Sequence, residues 1–225
     1  SIIARAICIK LAESGVKKFH IVSKNINSNM QFVKNLSSVY GAEVTQEKHD
    51  LLDNFSIAEP SLPKVDFYDL YLLTTGYLGD SDLAKVSVQE ALKINAINYS
   101  GLIPWLTEIT NHKRIESKGS LWVFSSVASD RGRPSNYHYG AAKAGLTNFC
   151  EGIMNYCHDK PFKVRIIKAG YIATKMTLGK APRAVCAEPE KLAEKLLKKP
   201  NKRGIEYFPN WWFLIMFIIK LLPSA

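Results

Sequence analysis

The sequence predicts an α/β fold, a doubly wound parallel sheet with helices on both faces. Three observations carry that prediction. Short apolar runs rich in β-branched residues recur along the chain, and a segment of helical periodicity follows each of them. The runs are also nearly continuous in their apolar character rather than alternating. Continuous apolar strands are buried on both faces, as a parallel sheet covered by crossover helices requires. With 225 residues, 47% of them hydrophobic and 22% charged, the chain suits a single globular core.

Taken in order, Ile3, Ile7 and Leu11 mark one face of a first helix that ends at Gly15. The run Phe19 to Lys24 reads as a buried strand, Asn29 to Tyr40 as a helix closed by Gly41, and Glu43 to His49 as a strand leading to Asp50. A helix-like stretch, Asn54 to Ala58, precedes the apolar strand Asp69 to Thr75, which Gly76 stops. One long helix is expected from Val86 to His112. Ser120 to Ser125 then forms a strand, Tyr137 to Asp159 a helix and Lys163 to Lys168 a strand. Pro189 to Lys199 completes the helices, and Ile205 to Phe208 is a last short strand. Residues 1–209 are read as one domain, with 210–225 as an apolar C-terminal helix.

The four cysteines, Cys8, Cys150, Cys157 and Cys186, are scattered without CxxC or Cys/His spacing, so free thiols in a reducing compartment are expected, and no metal site. The formal net charge is +10. No helix-turn-helix or aromatic RNA-binding signature accompanies it, which argues against a nucleic-acid partner. The densest basic run, Lys195 to Arg203, directly precedes the most apolar segment, a placement that favours a membrane surface. Plain solvation of a helix face is the alternative.

The chemistry concentrates between Leu121 and Leu146. Tyr139 and Lys143 lie four residues apart at the start of a helix and therefore share a face. An ammonium there is expected to lower the phenol's pKa from about 10 and make it a usable proton donor or acceptor. Ser126 stands thirteen residues before Tyr139, just past a strand end. Carboxyl ends of strands face the ligand crevice in such folds, so the two hydroxyls can meet there. A Tyr-x-x-x-Lys pair alone is common. The preceding Ser-Ser and the small residues around Lys143 separate this one from ordinary helix-surface pairs.

These residues resemble the active-site signature of the short-chain dehydrogenase/reductase family, and the resemblance runs nearly end to end. It implies a Rossmann-type fold and carbonyl–alcohol interconversion with a nicotinamide cofactor. Tyr139 would exchange the proton, Ser126 would hold the substrate oxygen, and Lys143 would bind the nicotinamide ribose. Asn98, in the setting Asn-Tyr-Ser-Gly, matches the family's fourth catalytic position and would hold a relay water; a locally satisfied helix asparagine is the alternative. The family's first strand and leading glycines are lacking. Ser1 to Ala4 resembles only the end of the pyrophosphate turn, so Ser1 and Ile3 are expected at the phosphates, and the chain reads as a fragment.

Other cofactor contacts match singly. Lys24, where NAD users carry an acidic residue, suits a 2′-phosphate and favours NADP(H) over NAD(H). Asp50 matches the adenine-contacting aspartate or a helix cap. Thr75 and Gly76 take the place of the usual Asn-Asn-Ala-Gly turn. Gly170, Ile172 and Thr174 fit the segment that faces the carboxamide, with Ala169 in place of proline.

Arg131 and Arg133, beside the site, are expected to receive an anionic substrate group. From Trp211 to Leu222 run twelve residues with a single lysine, short of the ~20 that span a bilayer, which suits an interfacial anchor or a subunit-interface helix. With Thr174 and Met176, these features resemble the branch of decaprenylphosphoryl keto-pentose reductases. The expectation is then a cytoplasmic homo-oligomer, peripheral at the membrane face, acting on a small-molecule or lipid-linked carbonyl. A reductase of soluble ketones or acyl thioesters, and a non-catalytic nucleotide-binding regulator, are the alternatives.

Overall fold

The computed structural model describes residues 1–55, 65–174, 176, 177, 179 and 181–223. Helix α1 (Ile2–Glu13) starts at Ser1, whose hydroxyl accepts the Ala4 N–H at 3.4 Å, and the chain leaves it through Gly15 at φ +99°. Strand β1 (Lys18–Ser23), helix α2 (Met30–Tyr40) and strand β2 (Glu43–Lys48) follow, with Gly41 ending α2 in the left-handed conformation. A short 3₁₀ turn, Leu51–Phe55, comes next. The helix expected at Asn54 to Ala58 falls from residue 56 onward outside the described residues.

The second half begins with β3 (Leu70–Leu73), α3 (Ser81–Ala84), α4 (Val88–Asn98), α5 (Ile103–Ile109) and α6 (His112–Ile115). It continues through β4 (Gly119–Ser126), α7 (Tyr137–Tyr156), β5 (Phe162–Ala169), α8 (Pro189–Leu197), β6 (Gly204–Phe208) and α9 (Trp212–Leu221). The single helix expected over Val86 to His112 is therefore broken into pieces. Tyr99 leaves helical geometry at φ −148° and ψ −72°, and Gly101 packs so tightly that a Cβ would lie 2.6 Å from the Leu51 carbonyl oxygen. Pro104, which has no N–H to donate, starts α5 afresh.

All strand pairs are parallel, in two sheets ordered β1-β2 and β3-β4-β5-β6. The break between β1 and β3 falls where the 3-2-1-4-5-6 order of dinucleotide-binding sheets places its first strand. Alternate residues of β4 feed opposite cores. Leu121 and Val123 pack with Leu102, Leu146 and Ile166 on the α4–α7 side, whereas Trp122 and Phe124 pack with Ile7, Ile167 and Leu192 on the α1–α8 side. Both faces of the four-stranded sheet are thus covered, as its apolar strands demand.

The C-terminal helix folds back on the domain. Trp212 and Met216 pack with Val127, Tyr171 and Tyr207, while Phe213, Leu214, Phe217, Ile218 and Leu221 face solvent. Among the described residues, no helix is long and apolar enough to cross a membrane.

Candidate active site

Strand β4 ends on Ser126, one residue later than expected, and its hydroxyl oxygen accepts the Ala128 N–H at 3.1 Å to start a 3₁₀ turn over Val127–Ser129. Helix α7 is fastened behind it. The Ser125 and Thr147 hydroxyls are 2.6 Å apart, and Gly140 lies so close to the turn that a Cβ would meet the Ala128 carbonyl oxygen at 2.9 Å. This fastening sets the face of α7 that carries Tyr139 and Lys143 against the strand end. Tyr139 and Ser126 meet through their side chains.

The electrostatics differ from the expectation. Burial is the largest influence on the Tyr139 phenol and pushes it up to about 12, against a smaller opposing pull from the Ser126 hydrogen bond. Lys143 does not lower it, because its ammonium is turned to two backbone carbonyls, Thr75 at 2.9 Å and Phe124 at 3.1 Å. Lys143 is only 2% exposed, and burial lowers its own pKa to about 8. An ammonium has three N–H donors and two are engaged, so among the described residues one stays free for a ligand.

These two shifts predict a stability profile. Between about pH 8 and the ordinary lysine value the unfolded chain binds more protons than the folded one, so stability rises with pH. Above the ordinary thiol value the net trend reverses, since burial raises the Cys8 and Cys150 thiols and the unfolded chain loses those protons first; the raised Tyr139 phenol adds to the fall above the ordinary tyrosine value. Urea midpoints measured across this range should peak near pH 9. In Lys143→Met the rising limb should disappear; its persistence would assign the limb to other groups.

Asn98 is fully buried. Its Oδ1 accepts the Tyr77 N–H at 3.1 Å, and its Nδ2 donates to the carbonyls of Tyr77 and Ile94 at 2.6 and 2.8 Å. The amide thus pins the turn after β3 that carries Thr75 and Gly76, with both Nδ2 hydrogens engaged there. Glu90 reinforces that turn by accepting the Tyr77 hydroxyl at 2.8 Å and the Asp80 N–H at 3.1 Å. The sequence reading missed Glu90; an acidic residue in a first helical turn reads as an ordinary dipole partner.

Of the proposed cofactor residues, Lys24, Asp50, Thr75, Gly76 and Gly170 follow the carboxyl ends of β1, β2, β3 and β5, whereas Ser1 and Ile3 start α1. Lys24 and Asp50 come together as an ion pair of 2.6 Å, and Asp50 also accepts the Leu52 N–H at 3.2 Å. Burial raises the Asp50 carboxyl, but the Lys24 and Leu52 contacts outweigh it and leave the acid below its usual range. Arg5, on α1 beside Ser1 and Ile3, donates to the Ser28 carbonyl at 2.7 Å and to Asn29 at 3.1 Å. Ile172 forms an isolated bridge with Ala187, and the Thr174 N–H donates to Thr177 at 3.1 Å. Trp212 covers Gly170 so closely that any Cβ there would overlap the indole nitrogen.

Arg131 and Arg133 require a correction. Arg131 donates to the carbonyls of Ile219 at 2.6 Å and Pro223 at 2.7 Å, closing the C-terminus of α9, and Arg133 lies 3.4 Å from the Met216 sulfur. The last turn of α9 has free carbonyls and no glycine cap, so it takes up the nearest guanidinium. The two arginines fasten a helix rather than line an open anion site.

Comparison with known proteins agrees with this geometry. The short chain dehydrogenase family model matches residues 1–183. An uncharacterized oxidoreductase of Mycobacterium tuberculosis is 34% identical over 154 residues, 68% of this chain and 61% of that protein. The chain thus aligns with less than two thirds of that relative's length. Among solved structures, a 7β-hydroxysteroid dehydrogenase superposes with TM-score 0.72 at 16% identity, covering 91% of this chain and 82% of the other. An actinorhodin polyketide ketoreductase with NADPH gives 0.69 at 15% identity, covering 87% and 85%. The two likenesses establish the Rossmann-like α/β fold, and the family match together with the arrangement at Ser126, Tyr139 and Lys143 establishes the rest: this chain belongs to the short chain dehydrogenase family.

Proposed function

We propose that the chain carries the catalytic core of an NADP(H)-dependent oxidoreductase that interconverts a carbonyl and a secondary alcohol, working in the reducing direction. The observation that carries this reading is the Ser126–Tyr139 hydroxyl pair at a strand end with Lys143 buried beneath it. A nicotinamide cofactor supplies the hydride when bound. The residues fit such a group, since among the described residues Lys143 keeps one N–H uncommitted. Lys24, 69% exposed beyond β1, supports a phosphorylated ribose, as does the NADPH held by the ketoreductase of like fold.

Within this reading each side chain has one task. The Ser126 hydroxyl holds the substrate oxygen. The Tyr139 phenol, with its pKa raised, keeps its proton through the neutral range and delivers it to that oxygen as negative charge develops there. Lys143 holds the ribose and the Thr75 carbonyl together, and Asn98 and Glu90 hold the turn behind them.

For the substrate, we favour a lipid-borne keto-sugar of the polyprenyl-phosphate type, reached at a membrane surface. The support is the solvent-facing apolar side of α9, docked beside the catalytic turn, on a chain of net charge +10. The arginines give no support, being engaged with α9.

The test is NADPH oxidation with a polyprenyl-phosphate keto-sugar in anionic vesicles, compared with soluble ketones and acetoacetyl thioesters. Turnover of the lipid substrate, with preference for NADPH over NADH, is expected. Turnover of soluble ketones alone would overturn the lipid assignment. Nucleotide binding without turnover of any carbonyl would leave a regulatory role in its place.

A further inference from the structure

Beyond the residues already assigned, a buried carboxylate follows the catalytic turn. Asp130 is the residue after the Val127–Ser129 turn that Ser126 caps, and its side chain is 1% exposed. Its Oδ1 accepts the Lys168 ammonium at 2.6 Å and lies 3.4 Å from Lys220 of α9, and its Oδ2 accepts the Tyr207 hydroxyl at 2.8 Å. Lys168 is nearly as buried and stands two residues before Gly170.

The topology makes this pair more than a packing contact. The β4–β5 ladder ends at the pairing of Ser126 with Ala169. Past that point no backbone hydrogen bond of the ladder ties the Ser126 turn to the turn at Gly170. In the proposed reaction the first turn holds the substrate oxygen and the second faces the nicotinamide, so their spacing sets the distance over which hydride must pass. Lys168 is the penultimate residue of β5, paired with Ser125 on one side and Tyr207 on the other, so the Asp130–Lys168 bridge ties the far end of the Ser126 turn to the strand that delivers Gly170. Burial in a low-dielectric setting also makes it far stiffer than a surface pair.

We propose that Asp130 is a positioning residue that holds the substrate-oxygen turn in register with the nicotinamide-facing turn through Lys168. This rests on the oxidoreductase reading given above. Displacements of about 1 Å at a reacting centre cost on the order of 100-fold in rate. Asp130→Asn, which keeps the shape and removes the charge, should therefore lower kcat by roughly 10- to 100-fold with the KM for NADPH nearly unchanged.

A purely structural role predicts something different, and one double variant separates the two. Asp130→Asn alone leaves Lys168 a buried uncompensated charge and lowers Tm. Combining it with Lys168→Met removes that charge and should restore much of the Tm. If Asp130 positions the turns, kcat stays low in the double variant. Hydrogen exchange also stays raised in peptides covering residues 123–130 and 166–174. Recovery of rate and protection together with Tm would overturn the proposal, as would an unchanged kcat in Asp130→Asn. Lys220→Ala, which removes only the exposed partner, should leave both readouts at the wild-type level.

Turnover is followed with NADPH and ethyl acetoacetate. Should the wild-type protein reduce neither that ketone nor the polyprenyl-phosphate keto-sugar, the oxidoreductase reading loses support, while the exchange measurement still decides for or against Asp130.

Discussion

Tyr139→Phe should lower the rate of carbonyl reduction by about 10²- to 10⁴-fold, the range a general acid contributes, and leave NADPH affinity within about twofold. The substitution removes one oxygen from a partly covered ring. Lys143 keeps its bonds to the Thr75 and Phe124 carbonyls, since neither involves the phenol. Ser126 keeps its cap on Ala128. The architecture therefore survives, and only the proton is lost. Stopped-flow oxidation of NADPH, with nucleotide binding followed by fluorescence, measures both quantities. A variant that turns over at the wild-type rate would remove Tyr139 from the chemistry, and with it the functional reading.

The second large effect concerns stability. Gly170→Ala should destabilise the fold by about 3 kcal/mol, at the upper end of the cost of overpacking. A methyl at that position overlaps the Trp212 indole nitrogen, so the ring must shift. It is held edge-to-face against Tyr171 at 5.9 Å and stacked on Trp211 at 4.7 Å, with Met216 fully buried one turn on. Relief requires α9 to lift from the turn. In a Trp212→Ala background the same glycine substitution should cost much less, giving a coupling of at least about 1 kcal/mol in the double-mutant cycle. Additive losses, read from urea denaturation, would mean that the turn relaxes without moving the helix.

The sequence revealed features wherever one local rule decides the outcome. Gly15 and Gly41 end their helices because left-handed backbone favours glycine, and the apolar runs around Val123 and Ile166 can only be strands buried on both faces. Tyr139, Lys143 and Ser126 were legible because a helix and a strand end fix their faces before any tertiary contact forms. What stayed hidden depends on residues far apart in the chain. Nothing near Arg131 announces that the carbonyls of residues 219 and 223 will claim it. Tyr99 and Gly101 broke the expected long helix because Leu51 packs against it, a contact spanning fifty residues. The pKa expectation failed for a related reason: sharing a helix face brings an ammonium near a phenol, but burial and two carbonyls decide where it points.

The small core of the β1–α2–β2 unit bears on how a bound ligand stabilises the fold. Among the described residues the buried centre of the β1–α2–β2 unit is Ala12, Leu36 and Ala42, with partly buried side chains such as Phe19, Phe32 and Val44 packed against it. Helix α1 helps join it to the rest, with Ala6 and Ile7 set in the larger core and Ala12 in the smaller, alongside His20 stacked on Tyr68. Such a unit opens at lower free energy than the four-stranded body. A ligand that touches Lys24 at one end and Lys143 at the other would bind only when both are closed. It would add its binding free energy to the weaker unit and make the two melt as one.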